Sequence, residues 1–273
     1  MEANYVYLDG TTVREQIIGI GGTGIVVLRR GYAYKIPLIS KIIKIDGVPF
    51  DSGKLLPSRE GDYDERATAV KAFEHEKAIY RRLGDHPGII RCYNLQSPDP
   101  SIQMPLMEGD LRHYLDQTTR PGKETLLSWM TQLAHAMSHI HSRHVIIADF
   151  RLDNVVFDEK MRIKLVDFSE CSLMPLDWDL DDCDENGFST WTDIGQFGAV
   201  MFDMITGQCC AFDIYQDWEQ VGDPTTWPRR DSLPSTSGVW LGSIIEKCWT
   251  KQFPSARNLA EELDRENDML LSK

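Results

Sequence analysis

Residues 145–169 read VIIADFRLDNVVFDEKMRIKLVDFS, and this stretch decides the fold. Two apolar runs flank a polar turn at residues 158–160, which predicts a β-hairpin with polar residues gathered at its ends. Those polar residues are Asp149, Asn154 and Asp167. Carboxylate and amide oxygens suit Mg²⁺, which is often held jointly by one or two carboxylates and substrate phosphates. The stretch therefore predicts a magnesium site, with one carboxylate left over to orient a hydroxyl.

The composition bounds the fold and the partners. A chain of 273 residues, 42% hydrophobic and 26% charged, can bury one large core or two lobes. Its net charge of -13 argues against nucleic acid, which requires a basic face, and favours a basic or neutral protein partner.

The cysteines and the apolar runs indicate a compartment. Six cysteines lack paired metal spacing, and two are adjacent, Cys209 and Cys210, which is typical of reduced thiols. No secretory leader and no run of roughly 18 apolar residues is seen. We expect a cytoplasmic or nuclear protein without a transmembrane segment.

A glycine-rich segment follows a predicted strand at residues 15–20. Residues 19–26 read GIGGTGIV, and glycines here let the backbone approach phosphate oxygens without side-chain obstruction. An ordinary glycine-rich hairpin is the alternative interpretation. A dinucleotide site is disfavoured because β-branched residues, not a helix, follow Gly24. A Walker loop is excluded because no Gly-Lys-Ser/Thr follows.

A lysine strand and a helix come next. Residues 32–37 predict a strand that carries Lys35, which is either a solvent-facing residue or a phosphate ligand. Residues 65–83 predict a helix with Glu76 on its apolar stripe, so Glu76 needs a partner. Lys35 is the candidate partner, and Glu74 is the less favoured carboxylate because it lies off the stripe. Residues 41–64 predict a mobile polar insertion.

The second half of the chain predicts two long helices around an acidic loop. Residues 126–143 repeat apolar side chains at steps of three and four. A second helix is expected to begin at Thr192 or Asp193 as N-cap and to stop at Gly207. Between them, residues 173–186 are rich in Asp and predict a solvated loop. The histidines of the first helix favour structural roles over zinc binding.

The order Asp-x4-Asn followed by Asp-Phe-Ser resembles the catalytic loop and metal motif of eukaryotic-type protein kinases. The chain departs from that pattern at Ile147 and Ala148, where the family has His-Arg, and at Ser169, where it has Gly. The motif Ala-Pro-Glu is absent, and the resemblance then implies that Arg257, the usual partner of its glutamate, pairs with Asp181 or Asp182 instead. The catalytic loop also loosely resembles kinase-like proteins of filamentous fungi.

The resemblance implies roles for individual residues. Asp149 takes the catalytic position, Asn154 and Asp167 the metal positions, and Arg151 the position of a lysine that contacts the γ-phosphate. Around the hinge, Met104 matches the gatekeeper, residues 105–107 offer backbone groups to adenine, and Asp110 faces the ribose. The implied ATP-binding set is Gly19, Ile20, Gly21, Gly22, Thr23, Gly24, Val26, Ala33, Lys35, Glu76, Met104, Leu106, Met107 and Asp110.

The resemblance also implies a fold and an activity. The expected fold is α+β and two-lobed, a single kinase domain over residues 1–273 with a small antiparallel-sheet N-lobe to about residue 105, a hinge at about 105–110 and a mostly helical C-lobe. The expected activity is transfer of the γ-phosphate of MgATP to a serine or threonine hydroxyl of a protein. A pseudokinase that binds nucleotides or partners, and a small-molecule phosphotransferase of the same fold, are the alternatives.

Overall fold

The computed structural model describes residues 2–45, 48–49, 65–215 and 227–272. The chain divides into two compact units. The first comprises Met1–Arg82 and Arg91–Leu106, and the second comprises Leu83–Ile90 and Met107–Lys273. The last crossing between the units therefore falls inside the segment in which the sequence predicts a hinge.

The first unit is built from antiparallel strands and one helix. Its strands are β1 (Glu2–Tyr5), β2 (Gln16–Ile20), β3 (Gly24–Arg29), β4 (Tyr32–Pro37), β5 (Ser40–Ile45), β6 (Val48–Pro49) and β7 (Ile102–Pro105). They form a four-stranded sheet of order β2-β3-β4-β7 and a three-stranded sheet of order β1-β5-β6. The helix α1 spans Glu65–Leu83, the range that the sequence predicts.

Alternation places the core of the first unit. Ile25 and Val27 of β3 share one face, because successive side chains of a strand point to opposite faces. Both are fully buried, and they pack with Ile36 of β4. Residues 41–45 correct the sequence analysis, which predicts that a polar loop begins at residue 41. They form a strand instead, since their backbone groups pair with β1. The rest of the predicted insertion, 46–47 and 50–64, lies outside the described residues.

The second unit is mostly helical. Its helices are α2 (Leu111–Gln117), α3 (Lys123–Ser142), α4 (Thr190–Thr206), α5 (Gly242–Trp249) and α6 (Ala256–Leu271). Its short strands are β8 (Gly109–Asp110), β9 (Val145–Ile146), β10 (Val155–Phe157), β11 (Ile163–Leu165) and β12 (Ser172–Leu173). An antiparallel-sheet unit and a helical unit confirm the predicted α+β kinase-like class.

The hairpin of residues 145–169 is shorter than the sequence predicts. Only β10 and β11 pair with each other, whereas β9 pairs with β12. Residues 147–154, between β9 and β10, form a loop with a 3₁₀ turn at Leu152–Asn154. Alternation of apolar residues does not reveal this interruption, because the loop residues Ile147, Phe150 and Leu152 are themselves buried.

Residues 83–90 join the second unit although the sequence analysis places them in the N-lobe. The N–H of Leu165 donates to the carbonyl oxygen of Gly88 (2.8 Å), and the N–H of Ile90 donates to the carbonyl oxygen of Leu165 (3.0 Å). These two hydrogen bonds tie the segment to β11. Predicting them requires the tertiary pairing, since the partners lie more than 70 positions apart in the chain.

The helix α4 begins earlier than predicted. Ser189, not Thr192 or Asp193, is its N-cap. In a capping box, the Ser189 side chain accepts from the Thr192 N–H, and the Thr192 side chain accepts from the Ser189 N–H. The predicted stop at Gly207 is confirmed, with φ of 77° in the left-handed region that favours glycine. No helix within the four described ranges is both long enough and apolar enough to cross a membrane.

Candidate active site

In the first unit, the glycine-rich segment forms the turn between β2 and β3. The N–H of Gly21 donates to the carbonyl oxygen of Gly24 at 2.8 Å, which closes the turn. A Cβ on Gly24 would lie 2.8 Å from the carbonyl oxygen of Ile36, so packing against β4 itself excludes a side chain there. At Gly22 an added Cβ would meet nothing within 4 Å. Ile20 at the tip is 63% exposed.

Thr23 of this loop carries a polar group that no described residue satisfies. Among the described residues, the Thr23 hydroxyl oxygen is buried and has no hydrogen-bond partner. An orphaned hydroxyl beside an uncovered backbone fits a phosphate, which accepts from such donors. Val26 on the next strand pairs in register with Lys35, and Ala33 pairs with Met104.

Lys35 and Glu76 form a buried ion pair inside the first unit. The Lys35 Nζ lies 2.8 Å from Glu76 Oε2, and the two side chains are 5% and 2% exposed. The strand β4 and helix α1 supply one partner each, as the apolar stripe of α1 predicts. Burial, and then the negative charge of Glu76, raise the pKa of the nearby Cys92 thiol. Cys92 therefore stays a neutral neighbour of the pair.

The first unit contains a second buried lysine, Lys77 of α1, which the sequence analysis did not identify. Lys77 is fully buried, and its Nζ donates to the carbonyl oxygens of Ser97 (2.8 Å) and Asp99. A weak contact to Glu74 at 3.6 Å adds to these. Lys77 adjoins Glu76 in the chain, yet its partners come from the loop before β7, so helical periodicity could not identify them.

The residues that the resemblance places around the hinge are divided between the two units. In the first unit Met104 is buried on β7, while Leu106 is 47% exposed. In the second unit the Asp110 carboxylate caps α2 by accepting the His113 N–H at 2.7 Å. Met107 precedes this cap and is partly exposed. Asp110 thus has a structural task beside the ribose contact that the resemblance implies.

In the second unit, Asp149 and Asn154 lie together on the loop between β9 and β10. The Asn154 Nδ2 donates to both the carbonyl oxygen and the Oδ2 of Asp149, each at 3.1 Å. The Arg151 Nε also contacts Asp149 Oδ2 at 3.1 Å. No described residue donates to Asp149 Oδ1 in this arrangement. Asp149 thus keeps one carboxylate oxygen available, and the side-chain oxygen Oδ1 of Asn154 is of the kind that could hold a cation.

Asp167 lies after β11 in a left-handed conformation, with φ of 60°. Its Oδ1 accepts from the Ser169 hydroxyl at 2.8 Å and from the Ser169 N–H at 3.3 Å. The N–H of Val166 donates to the carbonyl oxygen of Asn154 at 2.9 Å, which ties the two metal candidates together through the backbone. A carboxylate accepts at about four lone-pair positions, so the bonds from Ser169 are compatible with a cation at Asp167.

The loop between β9 and β10 is held by Asp193 of α4, which is fully buried. Asp193 Oδ2 accepts from the Ile147 N–H at 2.8 Å, and Oδ1 accepts from the Ala148 N–H at 2.9 Å. His141 of α3 contacts the same Oδ2 at 2.8 Å. Ala148 has φ of 61°, a conformation that a non-glycine residue adopts only when its surroundings enforce it. Asp193 supplies part of that enforcement.

The helical histidines have separate partners. His141 contacts Asp193, His139 contacts the carbonyl oxygen of Leu83 at 2.8 Å, and His135 contacts Asp264. His139 also stacks on His86 with ring centroids 4.4 Å apart. Among the described residues, no group of three or more His, Cys, Asp or Glu could hold a metal ion.

The acidic side chains of residues 173–186 are exposed except for one. Asp184 is 8% exposed, and its carboxylate accepts from the Ser172 hydroxyl and from the N–H groups of Asn186 and Phe188. The prediction of a wholly solvated loop is therefore wrong at Asp184, because its oxygens close a local turn. The exposed acidic residues of the segment are Asp177, Asp179, Asp181, Asp182 and Glu185.

Comparison with known proteins gives a family match. The model of the protein kinase domain matches residues 13–182. A tyrosine-protein kinase receptor of Caenorhabditis elegans is 24% identical over 53% of this chain. A probable LIM domain-containing serine/threonine-protein kinase of Dictyostelium discoideum is 24% identical over 75% of it. A serine/threonine/tyrosine-protein kinase of Arabidopsis thaliana is 24% identical over 77%. The chain spans 15%, 34% and 62% of the lengths of these three relatives.

Proposed function

Because the chain belongs to the protein kinase domain family, we propose that it is an ATP-dependent protein kinase that phosphorylates serine or threonine side chains. The proposal treats residues 1–273 as one kinase domain. Support for serine and threonine comes from the Dictyostelium and Arabidopsis relatives, whose names include those substrates and which align with three quarters of the chain.

The proposed roles follow from phosphoryl-transfer chemistry, in which catalysis consists mostly of positioning and charge neutralisation. Lys35, held by Glu76, contacts the α- and β-phosphates. Asn154 Oδ1 and the Asp167 carboxylate hold Mg²⁺, and their oxygen donors are of the kind this ion prefers. When bound, Mg²⁺ neutralises charge on the phosphate oxygens.

Asp149 orients the substrate hydroxyl for attack on the γ-phosphate. The hydroxyl proton is accepted by Asp149 Oδ1, while the hydroxyl oxygen bonds to the γ-phosphorus and the bond to the bridging oxygen breaks, which leaves ADP. Asn154 and Arg151 both occupy Oδ2 and thereby hold the carboxylate in one orientation. Arg151 uses Nε in this contact, so its two Nη groups remain to reach a transferred phosphate.

The single observation that carries the proposal is the buried Lys35–Glu76 ion pair. Desolvation costs several kcal/mol per ion, so a buried pair is weak evidence for stability. Its presence in the interior instead fits a functional demand for a fixed ammonium group. Asp149, Asn154 and Asp167 add two carboxylates and an amide, whose oxygens complement the ammonium group.

We further propose a basic protein substrate. The five exposed carboxylates of the acidic segment and the net charge of -13 both favour a cationic partner. A partner attracted in this way should bind more weakly as salt rises, since surface charges are screened.

The test is Mg²⁺-dependent transfer of labelled γ-phosphate to the protein itself and to a basic protein mixture. Asp149→Asn should reduce transfer by about 10²- to 10⁴-fold, the usual contribution of a general base. Asp153→Asn is the matched control, because Asp153 is an exposed carboxylate of the same loop. Phosphoamino-acid analysis of the product should show phosphoserine or phosphothreonine.

Three results would contradict the proposal. Equal transfer by wild type and Asp149→Asn would remove Asp149 from the mechanism. No transfer by the wild type, with thermal stabilisation by MgATP retained, would favour a nucleotide-binding pseudokinase. Phosphate found solely on a metabolite would favour the small-molecule alternative.

A further inference from the structure

Gln196 of α4 contacts the catalytic loop on both sides of Asp149. Its Nε2 donates to the carbonyl oxygen of Ala148 at 2.6 Å, and its Oε1 accepts from the N–H of Phe150 at 3.1 Å. Gln196 follows Asp193 by three positions, so the two side chains project from the same face of the helix. No sequence motif singles out Gln196.

These contacts fix the backbone dihedrals of Asp149. The peptide unit before Asp149 contains the Ala148 carbonyl, and the peptide unit after it contains the Phe150 N–H. Because each peptide is planar, holding both units sets φ and ψ of the residue between them. The direction of the Asp149 Cα–Cβ bond then follows. Gln196 thus aims the carboxylate without touching it.

The bond to Ala148 also supports a strained residue. Ala148 has φ of 61° in the left-handed region, which costs an alanine stability unless neighbouring groups hold it there. Asp193 holds the Ala148 N–H, and Gln196 holds its carbonyl oxygen. One helix therefore secures both polar groups of Ala148.

We propose that Gln196 is a positioning residue for phosphoryl transfer, acting by clamping the two peptide units that flank Asp149. The inference rests on the proposed kinase function for its catalytic consequence. Its structural part, the protection of the Phe150 amide, is independent of that function.

The test compares Gln196→Met with Gln132→Met. Methionine is close to glutamine in size and removes the polar atoms in both cases. Gln132 is a partly buried glutamine whose hydrogen bonds stay within α3, through the Ser128 carbonyl and hydroxyl oxygens. Hydrogen exchange of single amides by NMR, together with kcat and KM for ATP, is measured for each full-length protein.

Gln196→Met should speed exchange of the Phe150 amide about tenfold, the effect of losing one ordinary hydrogen bond. The Ile147 and Ala148 amides should stay protected by Asp193. The kcat should fall roughly 10- to 100-fold, since a small misplacement of a catalytic group costs about that much. The KM for ATP should stay within about twofold, because ground-state binding is untouched. Gln132→Met should change none of these.

Gln196→Glu provides a second variant that keeps an acceptor for Phe150 and loses the donor to Ala148. Its Phe150 amide should exchange as slowly as in the wild type. Unchanged Phe150 exchange in Gln196→Met would overturn the inference whether or not the protein is active. Faster exchange with unchanged kcat would overturn it as well. An inactive wild type would instead refute the proposed function. Exchange of the Phe150 amide would still test whether Gln196 holds the two peptide units.

Discussion

Replacing Lys35 by methionine should destabilise the protein, because Glu76 would remain as a buried charge without its cation. The ammonium and carboxylate are 2.8 Å apart, with side chains 5% and 2% exposed. At an effective dielectric constant of about 20, their attraction is about 6 kcal/mol. Desolvation of two ions costs a similar amount, so the pair contributes little net stability. Removing one partner forfeits the attraction and leaves the desolvation cost of the other.

The magnitude follows from that balance. Breaking a buried pair from one side costs about 3–5 kcal/mol. A domain of this size loses about 2–4 °C in Tm per kcal/mol, so Lys35→Met should unfold roughly 6–20 °C lower. The double variant Lys35→Met/Glu76→Leu removes both charges and should return to within about 1 kcal/mol of the wild type. Both variants should lose stabilisation by MgATP.

The assay is thermal unfolding with and without MgATP, with Lys160→Met as the control because Lys160 is an exposed lysine. Recovery of stability without recovery of nucleotide binding would show that the pair is present for function. A double variant as unstable as Lys35→Met would refute the reasoning, because the pair would then contribute net stability that an apolar replacement cannot supply. A loss below about 1 kcal/mol in the single variant would refute the assigned burial cost.

Three further predictions concern stability. Asp193→Asn should cost about 3–5 kcal/mol in urea unfolding, because three buried hydrogen bonds to a carboxylate are weakened and one N–H loses its acceptor; a cost below about 1 kcal/mol would contradict its structural role. Lys77→Met should cost about 2–4 kcal/mol and speed exchange around residues 97–99, since two carbonyl oxygens lose their donor; unchanged exchange there would argue against the buried contact. Burial, and then the charges of His139, His135 and Lys164, lower the pKa of His86 from 6.5 to about 4. The unfolded chain therefore takes up this proton first, so stability should be full above about pH 6.5 and fall toward pH 4, by about 1–2 kcal/mol for a partly buried ring. His86→Asn should flatten this dependence in pH-resolved unfolding, and an equal slope in both proteins would exclude His86 as its source.

Several elements could be read from the chain because their signals are local. The helix α1 begins and ends where apolar periodicity predicts, and β4 coincides with the predicted lysine strand. The match of the kinase family to residues 13–182 agrees with motifs read from the catalytic and glycine-rich segments. These signals depend on backbone preferences and on side-chain spacing, both of which are properties of neighbouring residues.

Other features could not be read because they depend on distant partners. Residues 40–45 form a strand only because β1 pairs with them, and β9 pairs with β12 rather than continuing into β10. Arg257 illustrates the same limit. The absence of Ala-Pro-Glu suggested Asp181 or Asp182 as its partner, yet within the described residues no ion pair joins Arg257 to either. Charge complementarity does not determine distance.

The sequence by itself determined the family, the order of the motifs and the candidate chemistry, because residue type decides which groups can hold phosphate, metal or a proton. The tertiary structure decided how those groups are oriented. Arg151 and Asn154 meet at one oxygen of Asp149, and Ser169 contacts Asp167. Gln196 secures the loop from a helix 46 or 48 positions away in the chain. Orientation depends on hydrogen bonds between segments that only folding brings together.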